Sequence, residues 1–444
     1  MRKKMFEDYL EYLKDPHLVA KIQNFFGVEI HEECQVNEDN PEGKIFTRNE
    51  KKVEKIYNGI NNIKAESNGY FKEETNDDDN DDDVAEEFLA TEKENIDEKK
   101  ATITTNSPPK FAIKNSFWYY LFLFGTELGD EIFYISFIPF WFWNVDGPVG
   151  RRVFLVWCII MVIGQALKDI ICWPRPACPP VARLQNKWSQ EYGMPSTHAM
   201  VGMSIPFSVL IYTMNRYIYS FPVASFIATT WCAVVCMSRL YLGMHTVLDL
   251  IGGLALAIGL MIPLVPLIDI TDHYFLTNGW ILSILIILTI VTIIYYPKSD
   301  RWTPTRGDTT MVVSVTCGVH FGSWLNFTTG ALSESLLSPP YEVNWPTYQT
   351  LALIIFRTIF GFCCIIFLRG VCKSLSYSAM CAILRVNSKE LIKSENSLKN
   401  KNKVIVDLFY KYVTYFIVGF NIAYLMPKIF SIIGIGRNTF YTEM

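Results

Sequence analysis

The sequence predicts an all-α, polytopic membrane helix bundle of about eight to nine transmembrane helices. Three observations predict it. Half of the 444 residues are hydrophobic and 14% are aromatic, yet the charged residues crowd into the first quarter and a stretch near the C-terminal end. Between them, windows of about 20 residues carry almost no charge, enough at ~1.5 Å per residue to cross a bilayer core of about 30 Å. Those windows also lack the apolar–polar alternation that a soluble protein of this length requires.

Residues 1–114 are polar. A short amphipathic helix is expected near Phe6 to Phe26, followed by a stretch rich in Asp, Glu, Asn and Lys that cannot bury a core and is expected to be largely disordered. The segment from Met1 to Ile30 has no uninterrupted apolar run, so it does not read as a signal peptide. The formal net charge of −4 comes largely from the acidic run Glu73 to Asp83, which argues against nucleic-acid binding. Spans then follow at Phe117 to Trp143, Arg152 to Cys172, Ala199 to Met214, Phe221 to Met237, Val247 to Ile268, Gly279 to Tyr296, Met311 to Phe327, Leu351 to Leu368 and Leu408 to Ile433. The seventh is the weakest. Arg369 to Lys403 is basic and polar, an amphipathic surface element or a loop. In the first span, Glu127, Asp130 and Glu131 interrupt an apolar, aromatic run; carboxylates at bilayer depth are costly unless satisfied. Either the helix breaks there or those groups face protein. The eleven cysteines lack metal-ligand or paired secretory spacing and read as small buried hydrophobes.

Three clusters place charge where apolar helices end. In Lys168-Asp-Ile-Ile-Cys-Trp-Pro-Arg175-Pro176 the two prolines stop the helix, so Arg175 sits in extended chain and can swing back beside Lys168. Singly, such a pair reads as snorkelling anchors of a helix end. In Met194-Pro195-Ser196-Thr197-His198, Ser196 and Thr197 are natural N-cap residues before an apolar run, and a helix N-terminus offers N–H groups to an anion. Capping leaves His198 unexplained. In Ser238-Arg239-Leu-Tyr-Leu-Gly-Met-His245-Thr-Val-Leu-Asp249, a spacing of four puts His245 and Asp249 on one helical face, where the carboxylate holds one imidazole nitrogen and frees the other to attack. Arg239 adds a third cation, with a planar fork suited to phosphate oxygens. All three clusters fall at one membrane face. Together they are what phosphoryl transfer without a metal needs: charge stabilisation, a nucleophile and a proton donor.

The spacings Lys-x6-Arg-Pro, Pro-Ser-Thr-His and Ser-Arg-x5-His-x3-Asp resemble the three motifs of the type-2 phosphatidic acid phosphatase superfamily, with Thr197 where glycine is usual. The wording Lys-Asp-Ile-Ile-x-Trp-Pro-Arg-Pro-Ala-x-Pro-Pro-Val, then Glu-Tyr-x-Met-Pro-Ser-Thr-His-Ala-Met, is similar to the sphingosine-1-phosphate phosphatase branch, and so is the later stretch Thr305-Arg306-Gly307-Asp308-Thr309. The resemblance implies a six-helix phosphatase core over residues 115–296, with additional helices and loops over 297–444. It implies that His245, oriented by Asp249, attacks phosphorus to give a phosphohistidine. His198 then protonates the leaving alkoxide and activates water, while Lys168, Arg175, Arg239 and the N–H groups at Ser196 and Thr197 bind the phosphoryl oxygens. No metal or other cofactor is implied. The implied substrates are sphingosine 1-phosphate and dihydrosphingosine 1-phosphate, whose tail stays in the bilayer while the head reaches the site. By charge alone, Glu127, Asp130 and Glu131 are candidates to read the amino group. Alternatives are another lipid phosphate of the same superfamily, phosphatidic acid or an isoprenoid diphosphate, and a non-catalytic lipid-binding membrane protein.

The resemblance also implies an endoplasmic-reticulum membrane protein with a lumenal site. Two complete crossings from a cytosolic N-terminus would return Lys168 to the cytosol. A lumenal site therefore needs either a lumenal N-terminus or a first span split into two re-entrant segments. Oligomeric state is not legible.

Overall fold

The computed structural model describes residues 2–31, 110–333, 338–343, 345–394 and 400–443. Met1–Ile30 and Phe111–Met444 form one compact unit; the other, His31–Lys110, lies almost wholly outside the described residues, and with it the stretch expected to be disordered. The N-terminal amphipathic segment is two helices rather than one, α1 (Arg2–Lys14) and α2 (Pro16–Phe25). Pro16 brings no N–H and favours a first helical position, and Asp15 caps the new helix by accepting from the His17 N–H at 2.9 Å.

The remaining helices are α3 (Ser116–Glu127), α4 (Glu131–Asn144), α5 (Gly147–Ile171), α6 (Thr197–Met214), α7 (Phe221–Tyr241), α8 (Val247–Thr277), α9 (Gly279–Ile294), α10 (Thr305–Thr328), α11 (Tyr348–Ile383), α12 (Ser388–Lys393), α13 (Lys401–Phe420) and α14 (Met426–Ile433), the last two joined by a π turn. Among the described residues, six helices are long and apolar enough to cross a membrane, with Lys401–Ile433 taken as one; α9 is apolar but shorter. The chain is a multi-pass membrane bundle.

The predicted first span does break, between Glu127 and Glu131. Asp130 caps α4, accepting from the Glu131 N–H at 2.7 Å, and pairs with Lys187 at 2.6 Å. Glu127 is exposed. The break does not turn the chain back: Phe122 stacks near Tyr241 (4.9 Å between centroids), Phe133 near Trp231 (5.1 Å) and Trp143 near Phe430 (5.4 Å). So α3 and α4 run on in one direction past the break, antiparallel to α7, rather than folding back on each other. From there the passes alternate. Asp146, before α5, meets Arg216, after α6, at 2.5 Å; Arg151 near the start of α5 meets Asp272 near the end of α8 at 2.9 Å; Arg357 early in α11 donates to the Ile435 carbonyl after α14 at 2.8 Å. These contacts mark one face. At the opposite face, Asp169 accepts from Thr303 at 3.2 Å beside the start of α10.

The N-terminal helices sit on that opposite face. Gln23, 1% exposed, donates to the Ala182 carbonyl at 2.7 Å and the Tyr241 carbonyl at 2.8 Å, and accepts from the Ala182 N–H at 2.9 Å. A buried amide that satisfies all three groups is a strong latch.

The weak seventh span, Met311 to Phe327, lies inside α10, which runs the full depth beside α13. A side chain at Gly318 or Gly419 would collide with the partner helix's backbone, so the two helices approach through small residues, as membrane helices do where no hydrophobic effect drives them together. One core joins α4 to α14, including Phe142, Trp143, Ile160, Met200, Val313 and Phe430. The basic segment Arg369 to Lys403 is not a loop throughout: it contains the last turns of α11, all of α12 and the start of α13.

Glycosylation acceptor sites inserted in the N-terminal region and in the loop between Pro176 and Pro195 are expected to share one state, both modified or both unmodified. A third site beside Ser333 should show the opposite state. Modification of only one of the first two would contradict this topology.

Candidate active site

The C-terminal turn of α5 carries Lys168, 1% exposed, with Nζ 2.5 Å from Glu191 Oε2 and donating to Thr197 Oγ1 at 3.0 Å. Cys172 closes the helix, and Pro174 and Pro176 keep the next residues extended. That extension brings Arg175 back: its Nε donates to the Glu191 carbonyl at 2.9 Å, and its Nη1 donates to the Met244 carbonyl at 2.7 Å and lies 3.4 Å from His245 Nε2.

Ser196 is the N-cap of α6, its Oγ facing the Ala199 N–H at 3.4 Å. The Ser196 N–H donates to the Asp249 carbonyl at 3.2 Å, which ties the second cluster to the third. His198, in the first turn, is half-buried and packs edge-on to Trp188, and its buried Nε2 has no hydrogen-bond partner among the described residues. The helix break at Gly129 makes room for it, since a Cβ there would stand 3.1 Å from His198 Cδ2 and 2.9 Å from Val235.

Arg239 ends α7 fully buried, donating to Thr126 Oγ1 and, at 3.2 Å, to Gln185 Oε1; its Nε and Nη2 have no partner among the described residues. The His245–Asp249 pairing departs from the sequence expectation. Thr246 is the N-cap of α8, so His245 precedes the helix, and Asp249 completes a capping box: its Oδ2 accepts from the Thr246 N–H at 2.7 Å while Thr246 Oγ1 accepts from the Asp249 N–H at 3.2 Å. His245 Nδ1 stands 3.8 Å from the same Oδ2, within ion-pair reach but beyond a hydrogen bond, and Asp249 Oδ1 has no hydrogen-bond partner among the described residues.

The electrostatics follow from burial among cations. Burial, reinforced by Arg175, Arg239 and Lys168, pushes His245 well below the usual histidine range, so the ring is neutral at physiological pH. Burial pulls Arg175 down to about 10, still protonated at neutral pH. Burial alone would raise Glu191, but Lys168 and Arg175 outweigh it and hold the carboxyl below its ordinary value.

All eight residues singled out in the sequence, Lys168, Arg175, Ser196, Thr197, His198, Arg239, His245 and Asp249, therefore meet at one helix-mouth site. Sequence reasoning assigned no role to Glu191, Thr126, Gln185 or Trp188. Glu191 could have been sought, because three converging cations imply a buried anion. His198 also lines a cavity within the bundle, together with Glu131, Glu191 and Asp308 and with apolar side chains that include Trp157, Ile365 and Val418.

Replacing Glu191 with Gln leaves Lys168 buried without its anion. The variant is expected to lose about 3 kcal/mol of stability, read as a lower unfolding temperature in detergent. An unchanged temperature would contradict the pairing.

The PAP2 superfamily model matches residues 150–269, a range that contains all eight residues. Sphingosine-1-phosphate phosphatase 1 of Rattus norvegicus is 38% identical over 71% of this chain and 73% of its own length. Sphingosine-1-phosphate phosphatase 2 of Homo sapiens is 37% identical over 73% and 80%. A dihydrosphingosine 1-phosphate phosphatase of Schizosaccharomyces pombe is 26% identical over 59% and 63%. No solved structure matches. By its superfamily match and its identity to these relatives over most of their length, the chain belongs to the sphingosine-1-phosphate phosphatase family of the PAP2 superfamily.

Proposed function

We propose that this lipid phosphatase hydrolyses sphingosine 1-phosphate and dihydrosphingosine 1-phosphate to the free base and phosphate, through a phosphohistidine at His245 and without a metal. The observation that carries the reading is the convergence of Lys168, Arg175, Arg239 and the α6 N-terminus around two histidines, beside a cavity lined largely by apolar side chains. The relatives' substrates, sphingosine 1-phosphate and dihydrosphingosine 1-phosphate, supply the substrate class.

In this mechanism His245 Nε2, neutral at physiological pH, attacks phosphorus as the P–O bond to the lipid breaks. His198 gives its proton to the departing alkoxide, then takes one from the water that displaces phosphate from His245. The unpartnered Nε and Nη2 of Arg239, with Lys168 and Arg175, spread the charge on the equatorial oxygens. Asp249 orients His245 through Nδ1, and its 3.8 Å separation shortens when the ring gains positive charge. The proposal includes an endoplasmic-reticulum membrane and a lumenal site. That placement puts α1, α2 and the basic segment from Arg369 in the lumen as well, against the positive-inside bias, which gives the glycosylation experiment its weight.

Purified protein is expected to turn over sphingosine 1-phosphate and its dihydro form faster than phosphatidic acid; equal or faster turnover of phosphatidic acid would overturn the substrate assignment. His245→Ala should abolish both turnover and any acid-labile phosphoenzyme. His198→Ala should still accumulate phosphoenzyme from a substrate with a good leaving group. A fully active His245 variant would end the mechanism.

A further inference from the structure

We propose that the cavity beyond His198 takes in the sphingoid base itself, with the ammonium group held between Glu131 and Asp308 and the hydrocarbon chain in the apolar channel behind them. The inference rests on the sphingoid-phosphate reading above, and it departs from the expectation that the tail stays in the bilayer.

Four carboxylates line the cavity: Asp130, Glu131, Glu191 and Asp308. Two of them are spent. Asp130 pairs with Lys187 at 2.6 Å and caps α4, and Glu191 pairs with Lys168 at 2.5 Å. The side chains of Glu131, on α4, and Asp308, on α10, make no hydrogen bond or ion pair among the described residues, although both are half-buried against a largely apolar space. A carboxylate in such a place is costly unless a cation joins it. The same wall holds the buried, unpartnered Nε2 of His198, which joins this cavity to the cation cluster.

The cavity is thus lined by His198, which stands beside the cation cluster, by two carboxylates without an ion-pair partner among the described residues, and by apolar side chains. A sphingoid-base phosphate presents a group for each: phosphate for the cations, ester oxygen for His198, ammonium for the carboxylates and a single alkyl chain for the apolar walls, the amine being on the carbon next to the one that bears the phosphate. A diacyl lipid phosphate offers no cation to the carboxylates and brings two chains to one channel. Glu127, the third carboxylate suggested by charge alone, is exposed and does not line the cavity.

The test compares sphingosine 1-phosphate with an alkyl phosphate of equal chain length that lacks the amine, using the full chain purified in detergent. The wild type should favour the amine substrate by about tenfold or more in kcat/KM, the scale of one charge-assisted contact. Asp308→Asn and Glu131→Gln should each cut that ratio several-fold, their combination should bring it close to one, and Asp308→Glu should keep most of it. A ratio compares two substrates in one preparation, so loss of folded protein does not move it. Should the variants fail to fold, a long-chain alkylamine must inhibit wild-type turnover more strongly than the alcohol of the same length. A preference that persists in the double variant, no preference in the wild type, or equal inhibition by amine and alcohol would overturn the inference and leave the phosphatase chemistry standing. No turnover of either single-chain phosphate would overturn the substrate reading beneath it.

Discussion

Cations withdrawn from water must find negative charge, and at this site Glu191 supplies it. Lys168 and Arg239 are almost fully buried and Arg175 stands beside them, while Glu191 is itself 5% exposed. One residue answers two of the three cations, its carboxylate taking Lys168 and its carbonyl taking Arg175. Because Lys168 ends a helix and Arg175 follows in extended chain, that double engagement fixes the loop from 172 to 196. The loop in turn delivers Ser196 to the mouth of α6, where its N–H bonds the Asp249 carbonyl. A buried pair of this kind is weak evidence for stability and better evidence for specificity of arrangement: it determines where the cations stand, and the rest of the site is built from that position.

Asp249 shows how local helix chemistry and the proposed reaction draw on one group. Its Oδ2 sits 2.7 Å from the Thr246 N–H and 3.8 Å from His245 Nδ1. As a capping-box residue it satisfies an orphan N–H at the start of α8. As an orienting residue it must also draw close to an imidazole that becomes cationic. The two demands do not conflict, since Oδ1 is unpartnered and a small rotation serves both.

Most of the architecture was legible because bilayer solvent writes itself into composition: uncharged windows long enough to cross became helices. Three features were not legible, each for a physical reason. The first amphipathic helix was read across Asp15-Pro16, although that dipeptide is a cap and a first-turn proline. The weakness of the seventh span reflected Ser314 and Thr316, which are buried and, like Thr310 just before the span, donate to carbonyls four residues back, at 2.5, 2.9 and 2.8 Å; satisfied in this way, hydroxyls cost little in an apolar helix, and hydropathy undercounts it. The His245–Asp249 spacing suggested one helical face, whereas Thr246-x-x-Asp249 is itself a capping signature that starts the helix at Val247, two residues too late to include the histidine. Motif spacing carried the site well, because each motif is anchored at a helix end. Glu191 escaped notice because no spacing announces it, only the charge balance of the assembled cluster.

The two histidines also differ in what sets their separation. In-line displacement needs attacking and departing atoms on opposite sides of phosphorus, and a displacement of a side chain by about 1 Å is enough to cost much of the rate. Here His245 and His198 stand at the N-terminal ends of α8 and α6, and those ends are joined by the backbone hydrogen bond from Ser196 to Asp249. A Cβ added at Gly253 would press on the Ser196 carbonyl at 2.8 Å, so the two helix mouths are also packed at backbone contact. The distance between proposed nucleophile and proposed acid is thus set by main chain against main chain, the least variable spacing the fold offers.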